Sequence, residues 1–128
     1  MQTRQRDPEL LLPLTPAVFH ILLSLVVGDH HGYGIMQEVN SSTKGKLRLG
    51  PGTLYRSLKQ MLAEGFIIEW DERSDPALDD QRRHYYRLTD FGERVLAAET
   101  ERLEQLLEVA RAKQRRQRVA LTTSEGGF

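Results

Sequence analysis

Hydrophobic positions in this chain recur first at helical spacing, then in two short continuous runs, then at helical spacing again. Leu10, Leu11, Leu12 and Leu14 form an apolar cluster too short, and too broken by Pro13, for a helix of its own. With the polar stretch before them, residues 1–13 are expected to be a flexible leader whose apolar segment packs on something else, a second subunit being a candidate. Thr15-Pro16 supplies a hydroxyl N-cap and a proline at the first helical position. Val18, Phe19, Ile21, Leu22, Leu25 and Val26 follow, apolar around most of the circumference, and predict a central buried helix ending at Gly28-Asp29. After a His30-His31-Gly32 turn, Tyr33, Ile35, Met36 and Val39 predict a shorter helix that fades in Asn40-Ser41-Ser42. Residues 44–49 form a connector, with Leu47 and Leu49 alternating around Arg48 as in a very short strand.

A third helix is marked most clearly. Gly50-Pro51-Gly52 opens it and Gly65 closes it, while Leu54, Leu58, Met61 and Leu62 give a narrow apolar stripe. Thr53, Arg56, Lys59 and Gln60 lie off that stripe. Phe66-Ile67-Ile68-Glu69-Trp70 and His84-Tyr85-Tyr86-Arg87-Leu88 are strands by propensity, joined by a long polar loop over residues 71–82. Thr89-Asp90 then caps a long helix, with Leu96, Leu103 and Ala110 seven apart and Leu106 and Leu107 beside them. The expected class is mainly α with a small β-hairpin: a winged helix-turn-helix over residues 14–88, a C-terminal dimerisation helix over residues 89–118, and a disordered tail over residues 119–128.

Charge changes this picture locally. The chain has 18 basic and 18 acidic residues. Net neutrality hides segregation: Lys44, Lys46, Arg48, Arg56 and Lys59 fall in a stretch without acids, whereas Glu69, Asp71, Glu72, Asp75, Asp79 and Asp80 crowd the wing loop. Within a Debye length of about 8–10 Å, the local sign is what a partner meets. There is no cysteine, which excludes disulfides and thiolate metal sites. No apolar run reaches the roughly 20 residues that span a bilayer, and nothing resembles a secretory signal, so a soluble cytoplasmic protein is expected.

Three stretches resemble the PadR-type transcriptional regulators: His31-Gly32-Tyr33-Gly34-Ile35; Leu49-Gly50-Pro51-Gly52-Thr53-Leu54-Tyr55-Arg56-Ser57-Leu58 running on to Glu64-Gly65-Phe66-Ile67; and Arg82-Arg83-His84-Tyr85-Tyr86-Arg87-Leu88-Thr89-Asp90-Phe91-Gly92. The resemblance covers roughly residues 14–112. It implies a homodimer on operator DNA, usually a repressor, dimerising through its C-terminal and N-terminal helices. The single C-terminal helix resembles the smaller branch of the family. Members that stack planar drugs in the dimer centre use aromatics on the last helix. Here no aromatic lies between Phe91 and Phe128, so a small-molecule effector is unsupported.

The expected DNA contacts are therefore Lys44, Lys46, Arg48, Gly52, Thr53, Tyr55, Arg56, Lys59, Gln60, Arg82 and Arg83. Gly52 and Thr53 offer a helix start to phosphate. Tyr55 stays open between DNA contact, which the family motif implies, and core packing. The expected dimer interface comprises Leu10, Leu11, Leu14, Phe19, Leu96, Leu103, Leu106, Leu107 and Ala110. No cofactor, metal site or catalytic residue is expected. The histidines lack recognisable ligand spacing, and no nucleophile stands with a base. The alternative to a DNA-binding regulator is a winged-helix protein-interaction module that never meets DNA.

Overall fold

The computed structural model describes residues 6–72 and 83–125. Its elements are α1 (Pro16–Val26), β1 (His30–His31), α2 (Gly32–Ser42), α3 (Pro51–Glu64), β2 (Ile67–Glu72), β3 (Arg83–Leu88) and α4 (Asp90–Glu125), preceded by a 3-10 turn at Pro8–Leu11. The sheet is antiparallel in the order β1-β3-β2. Glu69 stands opposite Tyr86 and Asp71 opposite His84 in the β2–β3 ladder.

Helix starts follow the local chemistry. Thr15 accepts from the Val18 N–H and Pro16 begins α1. His31 takes the equivalent role at α2, its ring Nδ1 accepting from the Gly34 N–H at 3.0 Å. Gly65, at φ +80°, ends α3 in the left-handed conformation, and its N–H returns to the Leu62 carbonyl. Ile21, Leu22, Ile35, Val39, Leu54, Leu58, Met61, Ile67 and Val95 meet in one buried cluster, so α1 is the central helix and α2, α3, the sheet and the start of α4 pack around it.

Thr89 joins the wing to α4. Its N–H donates to the Phe66 carbonyl at 3.0 Å, its hydroxyl donates to the Gly65 carbonyl at 2.6 Å, and that hydroxyl accepts from the Gly92 N–H at 3.0 Å. Further along, Glu99 is only 2% exposed. Its carboxylate accepts from the Leu14 N–H at 2.8 Å and from the Arg102 guanidinium. The Arg102 bond holds the Glu99 carboxyl below its ordinary pKa against the opposing effect of burial, with the Leu14 bond adding to the shift.

Four expectations need correction. Residues 30–31 are a strand, because His30 and His31 pair with Tyr86 and Tyr85, so the wing is three-stranded. Residues 44–49 contain no strand; Thr43 to Gly45 form a turn in which Gly45 N–H reaches the Asn40 carbonyl at 2.8 Å. The leader is not free from residue 6 onward: Arg6 pairs with Glu64 at 2.6 Å and lies over the Phe91 ring, and Leu11 and Leu12 pack on the core. The last helix does not stop at residue 118 but continues to Glu125, since no glycine or proline interrupts residues 93–125. Residues 126–128 lie outside the described residues.

Candidate nucleic-acid interface

Helix α3 divides into two faces. Leu54, Leu58 and Met61 are buried, while Pro51, Gly52, Thr53, Tyr55, Arg56, Lys59 and Gln60 are exposed. At about 100° per residue, Gly52, Thr53, Arg56, Lys59 and Gln60 share an arc of roughly 120° opposite the core. Gly50 provides no side-chain cap, so the first N–H groups of α3 have no side-chain acceptor. A β-carbon added at Gly52 would meet nothing within 4 Å, so the protomer itself does not require glycine there. An uncapped helix start with a bare glycine is a place where an anionic backbone can approach closely.

The connector before α3 contributes three cations. Lys44, Lys46 and Arg48 are all exposed, and none makes an ion pair among the described residues. Lys44 occupies the left-handed region at φ 53°, next to Gly45 at φ 74°. That conformation costs a non-glycine residue of order 1 kcal/mol, so the turn holds a lysine where glycine would fit better. Thr43 steadies the turn, donating to the Val39 carbonyl at 2.8 Å and accepting from the Leu47 N–H.

Tyr55 packs within the protomer on one side only. It is 53% exposed, and its hydroxyl lies so close to Gly32 that a β-carbon there would stand 2.6 Å from it. Its ring therefore braces α3 against the start of α2 while keeping one side in solvent. Gln60, though exposed, borders a small cleft with Leu11 and Leu14, near the N-terminal segment.

On the wing, Trp70 stacks on Tyr85 with ring centroids 4.7 Å apart. The Trp70 indole donates to Asp29 at 3.0 Å, and Arg87 pairs with the same carboxylate at 2.7 Å. The Arg87 bond is the main reason Asp29 titrates below its ordinary value. Arg87 is thus engaged with its own chain. Glu69, Asp71 and His84 meet on one face of the wing, with the His84 ring within 2.8 Å of Asp71. Burial, then the Glu69 charge, pushes the Tyr86 phenol up to about 12. Arg82 lies outside the described residues, as does the side chain of Arg83; the Arg83 backbone opens β3.

The residues expected at a dimer interface divide. Leu96 is buried in the protomer's own core, and Leu11, Leu14 and Phe19 are partly buried against that core. Leu10, Leu103, Leu106, Leu107 and Ala110 are exposed, joined by Val26 and Val27 at the end of α1. A groove of about 700 Å³ runs between the end of α1, β3 and α4, with Leu25, Val26 and Ala97 in its wall and Glu93, Glu101 and Glu104 along α4. Among the described residues, no helix is long and apolar enough to cross a membrane.

The sequence carries no signal for the long-range partners of these polar residues: Trp70 and Arg87 for Asp29, the Gly65 and Phe66 carbonyls for Thr89, and the Leu14 N–H for Glu99. The cap that Thr89 makes with the Gly92 N–H is local and follows from the sequence, whereas the Glu99–Arg102 pair, although local, was not singled out.

Comparison with known proteins bears on this geometry. A transcriptional regulator of Mycobacterium tuberculosis, Rv3488, is 31% identical over 87 residues, spanning 68% of this chain and 75% of that protein. The crystal structure of a PadR family transcription regulator from Clostridium difficile superposes with a TM-score of 0.66 at 23% identity, covering 78% of this chain and 99% of that one. Bacillus subtilis PadR, solved in complex with operator DNA, gives a TM-score of 0.59 at 24% identity, covering 67% of this chain and 47% of the other. Those two structures establish the winged-helix fold. Residues 21–98 match the Transcriptional regulator PadR-like family, from the middle of α1 through the first turns of α4. With the three motifs in place on α2, α3 and the wing, this chain belongs to the PadR-like family of transcriptional regulators.

Proposed function

We propose that this chain is a sequence-specific DNA-binding repressor acting as a homodimer on a pseudopalindromic operator. The observation that carries the reading is α3: an uncapped, open helix start followed by Thr53, Arg56, Lys59 and Gln60 on the face away from the core. In a two-fold dimer, two such helices would enter successive major grooves about 34 Å apart. Arg56 is the candidate for bidentate reading of guanine, Thr53 and Gln60 for base edges, and Lys59 for phosphate. Gly52 would let the strand come close to the first N–H groups, and Tyr55 would present its exposed ring side. Lys44, Lys46 and Arg48 would hold the backbone beside them, with Arg82 and Arg83 serving the wing. The Bacillus subtilis relative's complex with operator DNA supports this direction. Residues 14–88 form the DNA-binding unit in this reading, and the long last helix assembles the dimer. The protein would act in the cytoplasm, where its operator is.

A gel-shift titration against the region upstream of its own gene tests the proposal. Each neutralised phosphate steepens the fall of log K with log salt by about 0.9, so five cations per protomer predict a steep dependence. A shift that ignores salt, or no shift at low salt, would instead favour a protein-interaction module. Selecting bound genomic fragments with the purified protein would identify the operator.

A further inference from the structure

Antiparallel pairing brings three metal-ligating side chains to one corner of the wing. Glu69 and Asp71 lie two apart on β2, so they leave the same face of the sheet, and Asp71 stands opposite His84 on β3. The His84 ring nitrogen Nδ1 is 2.5 Å from a Glu69 oxygen and 2.8 Å from an Asp71 oxygen. One donor atom from each of the three lies within 4.8 Å of the other two. No spacing along the chain announces this group, because the register of two strands assembles it.

Two carboxylates and one imidazole exceed what an ion pair needs. Even a protonated His84 offsets only one of the two negative charges. No lysine or arginine pairs with Glu69 or Asp71 among the described residues. The two acids are also held from behind. Trp70, between them in the chain, leaves the opposite face, where it stacks on Tyr85 and donates to Asp29. That anchors the backbone from which both acids project, so little further order is imposed when an ion arrives.

The donors select the class of ion. One ring nitrogen and two carboxylate oxygens suit a borderline divalent ion such as Zn²⁺, at bonds of about 2.0–2.2 Å, whereas Mg²⁺ and Ca²⁺ prefer oxygen alone. Donors around a tetrahedral ion stand roughly 3.3 Å apart, so the two His84 contacts need to open by less than about 1 Å. All three side chains are at least a third exposed, which leaves them free to do so and leaves water the remaining position. On the same face of the wing Ile67 and Tyr86 bury into the core, so the three donors lie where that inner face runs out past the helices.

We propose that Glu69, Asp71 and His84 form a divalent transition-metal site on the wing, and that the bound ion offsets carboxylate charge where the wing approaches DNA. The site stands on the wing geometry alone; its effect on DNA rests on the DNA-binding reading.

Calorimetric titration of Zn²⁺ into the full chain tests the site. One ion per chain is expected, and Glu69→Gln/Asp71→Asn and His84→Ala should each weaken it by about tenfold or more. His30→Ala alters the adjacent imidazole pair and should leave the affinity unchanged. Binding that persists in both wing variants, or that is lost in the His30 variant, would overturn the assignment. In gel shifts at fixed salt, saturating Zn²⁺ should tighten DNA binding by about threefold or more, and Glu69→Gln/Asp71→Asn should reproduce that gain without the ion. Bound Zn²⁺ that leaves DNA affinity unchanged would overturn the charge effect and uphold the site. A chain that takes up Zn²⁺ yet never shifts DNA would remove the DNA-binding reading alone.

Discussion

Gly92 lies against the backbone of Phe66 so closely that a β-carbon on it would sit 2.0 Å from the Phe66 carbonyl oxygen. The obstacle is main chain, already bonded to the Thr89 N–H, so it has no rotamer through which to yield. Gly92→Ala must push the first turn of α4 off the wing, at a cost of about 3 kcal/mol or more. Gly32→Ala meets only the end of the Tyr55 side chain, at 2.6 Å, and a rotation relieves it. Its expected cost is about 1 kcal/mol. Urea unfolding of both variants should show the larger loss at Gly92; equal losses would contradict the model of a fixed backbone contact.

Gly52→Ala separates folding from binding. The site has open space around it and alanine is the better helix former, so the variant should be more stable by about 0.5–1 kcal/mol. If DNA approaches this helix start, the same methyl group should weaken operator binding. Thermal melts and gel shifts on one preparation give both numbers, and tighter binding by the more stable variant would argue against close approach at Gly52.

Base reading and phosphate attraction should also separate. Arg56→Ala is expected to lose about 1–3 kcal/mol on the operator and little on unrelated DNA. Lys44→Ala is expected to weaken both alike and to reduce the salt slope by about one per site. Competition titrations at several salt concentrations distinguish them; identical behaviour of the two variants would remove Arg56 from the reading set.

Glu99 predicts a pH dependence of stability. Its bond to Arg102 holds the folded-state pKa below the ordinary 4.5. The stabilisation is therefore complete above that value and is lost as pH falls through the lower folded-state pKa. Glu99→Gln should cost about 1–3 kcal/mol at pH 7, because it weakens a buried, charge-assisted pair. The gap between variant and wild type should close in acid. A gap that stays constant from pH 7 to pH 3 would show that the carboxylate charge is not what matters.

Trp70 is the chain's single tryptophan, and it reports on the wing. Asp29→Ala removes the acceptor shared by the Trp70 indole and Arg87, releasing the Trp70 side chain from the α1–α2 turn while the β1–β3 pairing stays in place. A red shift in tryptophan emission is expected without loss of helical circular dichroism. Unchanged emission would mean that the stacking on Tyr85 alone fixes the ring.

Much of this fold was legible because its punctuation is local. Thr15-Pro16, Gly50-Pro51 and Gly65 each act within a turn of their own position, so the bounds of α1 and α3 followed from them. β1 was not legible: His30 and His31 have no strand propensity to speak of, and their pairing depends on Tyr85 and Tyr86, more than 50 residues on. The length of α4 was underestimated because Thr122 and Thr123 resemble loop residues. The Thr122 hydroxyl instead bonds back to the Arg118 carbonyl at 2.8 Å, an i−4 bond that a threonine makes inside a helical turn. For the candidate site, the exposed face of α3 followed from periodicity. Which partner covers Leu11, Leu14, Phe19 or Leu96 did not, since apolarity signals burial without saying against what.

The short ladder from His30 and His31 to β3, with Asp29 clamping Trp70 and Arg87, ties the described wing strands to the helical body. Thr89 and Gly92 seal its other end. The span between the wing strands and α3 is consequently set when the chain folds, like the jaws of a fixed gauge. A surface held at a fixed span surrenders little configurational entropy on docking, so its affinity should depend sharply on whether the target's own spacing conforms. Discrimination among targets would then rest partly on how readily each one deforms to fit.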